Sequence, residues 1–142
     1  VLPVNSLWLW GGGCGAGALP QKNYDSVSSD EELAGMFAEA AGIPFTGWPA
    51  QWHAEEGGNR QLLVWTGLRS ALQRGDLAAW RAALQEFEAG HAQPLWQALR
   101  AGKIARLQVD ILGGERVSLS LTRAAAWAFW RPAKPLAGYA MV

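Results

Sequence analysis

The sequence is poor in the side chains that hold metals or carry redox chemistry. It has one cysteine, Cys14, and two histidines, His53 and His91. A single cysteine excludes an internal disulfide framework and any multi-cysteine metal site. Two isolated histidines do not make a zinc centre, which takes three or four clustered ligands. An excess of charge of either sign is also lacking. Lys plus Arg number 12 and Asp plus Glu number 12, for a formal net charge of zero. That balance argues against nucleic acid as a partner, and no acidic tail points to a basic one. No apolar run approaches the roughly 18 residues that span a bilayer, so no membrane partner is expected. With no secretory signal in view, the lone cysteine points to the cytoplasm.

What is present describes one ordinary domain. The chain has 142 residues, 50% of them apolar and 17% charged, enough for a real core. We read residues 1–142 as a single α/β domain. The sequence opens at Val1 and enters strand-like residues almost at once. It therefore reads as the C-terminal portion of a longer protein, whose missing N-terminal region is an expected partner. Nine tryptophans imply an aromatic-rich core. Their other reading is an interface, with that N-terminal region or with a second copy in a homodimer, because Trp buries a large apolar body while keeping an N–H to pair.

Residues 4–10 (VNSLWLW) read as a strand, broken by the glycine loop GGGCGAG. Residues 24–27 read as a second short strand. Residues 28–41 read as a helix: Ser29 and Glu32 have capping-box spacing, and Leu33, Met36, Phe37 and Ala40 make one apolar stripe. Gly42 suits a left-handed cap. Residues 43–48 are extended and 49–58 form a surface loop. Residues 61–65 (QLLVW) have the continuous apolar run of a buried parallel strand. Asp76 caps a helix reaching about Gly90, with Leu77, Trp80, Leu84 and Phe87 as its stripe. Pro94 opens another helix, which Gly102 ends. Residues 104–112 and 117–121 read as strands joined by a Gly113-Gly114 turn, and Thr122 caps a last helix. This order predicts an α/β fold: a mainly parallel sheet with helices on its faces and an antiparallel edge hairpin near the C-terminus.

Candidate sites follow from that layout. The glycine loop lies where α/β sheets bind ligands, but no Gly-x-Gly-x-x-Gly opens onto a helix and no Gly-Lys-Ser/Thr follows. A tight structural loop is the leading reading, with a small-ligand or anion contact as the alternative. Cys14 in that loop lacks a recognisable base. Asp30 and Asp76 have sufficient roles at helix N-termini. Asp25 has no distinctive context. Asp110 interrupts an apolar strand, so it either faces a ligand or turns to solvent before the hairpin. Arg123, Arg131 and Lys134 interleave with Trp127 and Trp130, the pattern of an anion or nucleic-acid patch, but a solvated helix face explains them better.

Residues 2–13 (LPVNSLWLWGGG) resemble the RpfE-type bacterial regulatory protein family. They also resemble the Asn-x-x-Trp-x-Trp-Gly-x-Gly segment of archaeal-type cofactor-independent phosphoglycerate mutases, matched by Asn5, Trp8, Trp10, Gly11 and Gly13. The likeness continues loosely through Gly75-Asp76 and the strand ending at Asp110. It implies an alkaline-phosphatase/phosphoglycerate-mutase-like fold with two metals held by Asp and His. Carried onto this chain, the ligand positions fall at Leu68, Leu72 and the pair Asp110-Ile111, so most ligands are absent. The resemblance thus implies a non-catalytic regulatory or small-ligand-binding protein with no metal and no cofactor. Asn5, Trp10, Gly11, Gly13 and Asp110 are its expected ligand contacts, and a small phosphorylated molecule the expected ligand. The alternatives are a metal-dependent mutase-like enzyme using other residues, and a structural domain that pairs through its tryptophans.

Overall fold

The computed structural model describes residues 22–54, 60–112 and 117–127. The expected strand over residues 4–10, the glycine loop with Cys14, and the Gly113-Gly114 turn lie outside the described residues.

Three short strands form a parallel sheet: β1 (Ser26–Ser29), β2 (Phe45–Gly47) and β3 (Gln61–Val64), in the order β2-β1-β3. Ser29 is in register with Gly47 on one side and Val64 on the other. Helix α1 (Glu32–Ala40) makes the β1-to-β2 crossover. Residues 48–60 connect β2 to β3, and the described residues among them form no helix. The sheet is bracketed by two aspartates. At its amino end the Arg60 N–H donates to the Asp25 carboxylate at 2.9 Å. At its carboxyl end Asp30 accepts from the Thr66 N–H at 2.9 and 3.0 Å and from the Thr66 hydroxyl at 3.2 Å.

The start of α1 differs from the sequence expectation. Ser28 and Ser29 belong to β1, not to a helix, and Glu31 occupies the N-cap without a side-chain cap bond. The Ser29 hydroxyl accepts from the Glu31 N–H, so the capping box does not form. Serines are unusual in a central parallel strand, and here both are buried. Ser28 is satisfied by a 2.8 Å bond with the Thr46 hydroxyl on β2. Asp30 is likewise not a helix cap; it clamps β1 to the end of β3.

The face of α1 is also reversed. Ala38 is buried, while Leu33, Met36 and Phe37 are 54%, 66% and 60% exposed. Ala38 joins Val27 and Ile43 in a small core, with Ala41 and Leu62 packed against it. The helix lays its small side chains on the sheet and turns its bulky ones outward.

Helix α2 (Arg69–Gln73) is short. Helix α3 (Leu77–Phe87) starts as expected, with the Ala79 N–H donating to Asp76 at 2.9 Å. Its expected stripe is not core, however: no residue of α3 is buried. Nor does α3 end before a separate helix. It runs through one π turn (Glu88–Ala92) into α4 (Gln93–Ala101), which contributes the fully buried Leu99. Pro94 lies in the first turn of α4, so it sits within a continuous rod. A proline there has no N–H for the residue four earlier and crowds its carbonyl. The π turn absorbs that conflict, and the freed Gly90 carbonyl accepts from the Trp52 N–H at 2.9 Å. Gly42, Gly75 and Gly102 have positive φ and follow α1, α2 and α4, where left-handed glycine closes a helix.

Strands β4 (Arg106–Ile111) and β5 (Val117–Thr122) pair antiparallel as their own two-stranded sheet. The hairpin is therefore not an edge of the parallel sheet. Leu107, Val109 and Ile111 face Leu121, Leu119 and Val117 in register. Ile111, Val117 and Leu119 nevertheless remain about half exposed. Thr122 caps α5 (Arg123–Ala126), accepting from the Ala125 N–H at 3.4 Å.

Candidate functional site

The carboxyl ends of parallel strands are where α/β sheets place their chemistry. Here two tryptophans follow the two outer strands directly: Trp48 after β2 and Trp65 after β3. Strands separated by a third lie roughly 9.5 Å apart. The two indole centroids are only 6.3 Å apart, so the rings lean together over the end of β1. Gly67 permits this on the β3 side: a Cβ there would meet the Trp65 indole nitrogen at 2.5 Å.

Two rings from the long rod complete the stack. Phe87, the last residue of α3, lies 4.4 Å from Trp65 at 15°. His91, in the π turn, lies 4.3 Å from Trp48 at 24°. Phe87 and His91 are themselves 5.7 Å apart and nearly parallel at 6°. The loop after β2 docks on the same turn. The His91 Nε2 is 3.0 Å from the Pro49 carbonyl, which can only accept, so Nε2 carries the hydrogen. The Trp52 indole N–H donates to Gln61 Oε1 at 2.7 Å.

His91 is 2% exposed. Its Nδ1 is buried and has no hydrogen-bond partner among the described residues. Burial holds its pKa below the ordinary histidine value, against the opposing pull of the Pro49 bond. It is a neutral ring in an aromatic slot. A π turn is often a mark of function, and here it positions His91 against Trp48 while freeing the Gly90 carbonyl. Beside the stack, Asp30 is committed to Thr66. Glu31 lies 3.5 Å from the Arg69 guanidinium, an exposed pair of small energetic weight.

Asn5, Trp10, Gly11, Gly13 and Cys14 lie outside the described residues. Asp110 is on the polar side of the hairpin, an exposed carboxylate accepting from the Ser118 hydroxyl at 2.5 Å and from the Gln108 amide at 3.3 Å. Leu68 is the N-cap of α2 and Leu72 is exposed on it. The metal pair implied by the mutase resemblance does not fit this donor set. Among the described residues no group of three or more His, Cys, Asp or Glu could hold a metal. His53 is exposed. Trp127 is engaged by Arg100, whose guanidinium carbon sits 4.6 Å from the ring centroid; Trp130, Arg131 and Lys134 lie outside the described residues. No helix among the described residues is long and apolar enough to cross a membrane.

No family model, curated protein or solved structure matches this chain.

Sequence reasoning overlooked the stack, although two signals for it were present. Each outer strand ends in Trp, and Gly90 stands four residues before Pro94.

Proposed function

We propose that this chain is a non-catalytic regulatory or small-ligand-binding protein on a phosphoglycerate-mutase-like scaffold, akin to the RpfE-type family. One observation carries the reading. The polar groups at the carboxyl end of the parallel sheet are committed to internal bonds, with Asp30 clamped by the Thr66 amide and hydroxyl. A general acid or base must reach a substrate proton, and a carboxylate held by three internal contacts serves as a brace. His91 adds to this support. Its one donor is committed to Pro49 and its ring is stacked on Trp48. The leucines at the expected ligand positions point the same way, because a mutase of this type needs metal charge to activate its nucleophile. The ligand reading places a small phosphorylated molecule against Asn5, Trp10, Gly11 and Gly13.

The test is metal analysis of the purified protein, followed by a mutase assay with Mn²⁺ and phosphoglycerate and a thermal-shift titration with phosphoglycerate. We expect no bound metal, no turnover, and a saturable rise in melting temperature that Trp10→Ala abolishes. Stoichiometric metal with turnover would overturn the reading in favour of an enzyme. A flat titration would remove the phosphorylated ligand from it.

A further inference from the structure

Two hydrogen bonds hold the segment after β2 on the π turn. The Trp52 N–H donates to the Gly90 carbonyl at 2.9 Å, and His91 Nε2 donates to the Pro49 carbonyl at 3.0 Å. A third bond, from the Trp52 indole N–H to Gln61 Oε1 at 2.7 Å, ties the same segment to β3. Of the three, only the His91 bond involves a group that titrates near neutral pH. The ring's remaining basic atom is Nδ1, buried with no hydrogen-bond partner among the described residues.

A proton on Nδ1 makes it a donor where no acceptor stands. Burying a charged donor without a partner costs far more than burying a neutral ring. The Trp48 face, 4.3 Å away, offsets part of that cost through its π electrons. It supplies neither a hydrogen bond nor the lost hydration. The segments packed around the ring do not neutralise the charge either. Residues 48–52 and 61–66 carry no charged side chain. Glu86 on α3, Glu88 on the π turn and His53 after Trp52 are exposed. Burial lowers the His91 pKa and the Pro49 bond opposes it, with no neighbouring charge contributing. The charged ring therefore finds water only by leaving its slot.

Leaving it breaks the bond to Pro49 and the stack on Trp48 together. The elements on either side have anchors of their own: β2 stays on β1 through its register and the Ser28–Thr46 bond, and α4 stays through buried Leu99. Gly47 ends β2 and has nothing within 4 Å of where a Cβ would stand, so the chain can pivot there. We propose that His91 is a pH-operated latch: protonation of Nδ1 turns the ring out, and residues 48–52 swing off the π turn about Gly47 while the sheet and helices stay folded. The aromatic stack at the carboxyl end of the sheet then opens. This goes beyond the ligand reading and does not rest on it.

The test is amide hydrogen exchange of the whole chain, read by NMR as protection factors at pH 7.5 and 5.5, with and without a low concentration of urea. The Trp52 amide reports the latch. The Val27 amide, bonded to the Pro44 carbonyl at 3.0 Å, reports the sheet. At pH 5.5 the Trp52 protection is expected to fall by up to about tenfold, the limit for an open state with an ordinary histidine pKa. Urea should hardly change it, because a local opening exposes little surface, whereas Val27 protection should be higher and should fall with urea. In His91→Phe the pH effect on Trp52 should vanish; His91→Gln, which keeps a donor for Pro49 and does not titrate, serves if the phenylalanine variant fails to fold. Trp52 protection that ignores pH would overturn the proposal, as would a pH effect that survives the loss of His91. Trp52 and Val27 losing protection in step with urea would also overturn it, since residues 48–52 would then open only with the whole chain.

Discussion

Replacing Gly90 by alanine sets two known effects against each other. In an ordinary helix interior the change stabilises by about 1 kcal/mol, because glycine is the poorer helix former. Here the added Cβ would stand 2.9 Å from the Ala50 backbone carbonyl oxygen. A backbone atom cannot swing aside as a side-chain tip does, so the loop after β2 must retreat from the π turn. Retreat stretches the bond from the Trp52 N–H to the Gly90 carbonyl, now 2.9 Å, and that from His91 Nε2 to the Pro49 carbonyl, now 3.0 Å. Each such bond contributes about 1 kcal/mol net, and more when a buried group is left unpaired. Trp52, 6% exposed, would lose packing as well. The loss exceeds the gain, and we expect Gly90→Ala to destabilise the protein by about 1–3 kcal/mol. Urea unfolding followed by tryptophan fluorescence measures it. Gly47→Ala, where a Cβ meets nothing within 4 Å, is the control and should stay within about 0.5 kcal/mol. A Gly90→Ala protein more stable than the native one would refute the docking of this loop on the π turn.

Two further outcomes follow from burial. The His91 pKa is lowered from 6.5 by burial, so below that pH the unfolded chain binds the proton that the folded chain refuses. The stability owed to neutral His91 is full above pH 6.5 and declines as pH falls from there toward the lowered folded value. Unfolding midpoints at pH 7.5 and 5.5 should therefore differ, and His91→Phe should flatten the difference; a slope that survives in His91→Phe assigns it elsewhere. Leu99 is 0% exposed, and Leu99→Ala should cost about 2–5 kcal/mol, measured by the same urea unfolding. A cost under about 1 kcal/mol would mean that α4 is not held by its core side.

The features legible in the sequence were the local ones. Asp76, Thr122, Gly42 and Gly102 act within a turn of their own position, so cap chemistry reads directly from the order of residues. The antiparallel hairpin of residues 104–112 and 117–121 was equally plain, because two β-favouring runs flank a glycine pair. The misread elements are those decided by distant partners. Ser28 and Ser29 look like a helix start until Thr46 supplies the hydroxyl that lets Ser28 be buried in a strand. Asp30 looks like a cap until Thr66 arrives from the end of β3. Phe87 and His91 are one helical turn apart, but their neighbours Trp48 and Trp65 come from the ends of two other strands. A site made of such contacts has no local pattern to detect.

The reversal of α1 follows from what the sheet can receive. Three strands of three or four residues offer a narrow platform, and its central strand presents a single large apolar side chain, Val27. A ridge of Leu, Met and Phe seated there would hold the helix away from the sheet and leave voids that nothing nearby could fill. Alanines let the helix lie close, and Gly35 lets the Phe45 ring approach to 3.1 Å of where a Cβ would be. The close fit fixes the inward side of α1 as its small side. Leu33, Met36 and Phe37 are left more than half exposed beside that fit.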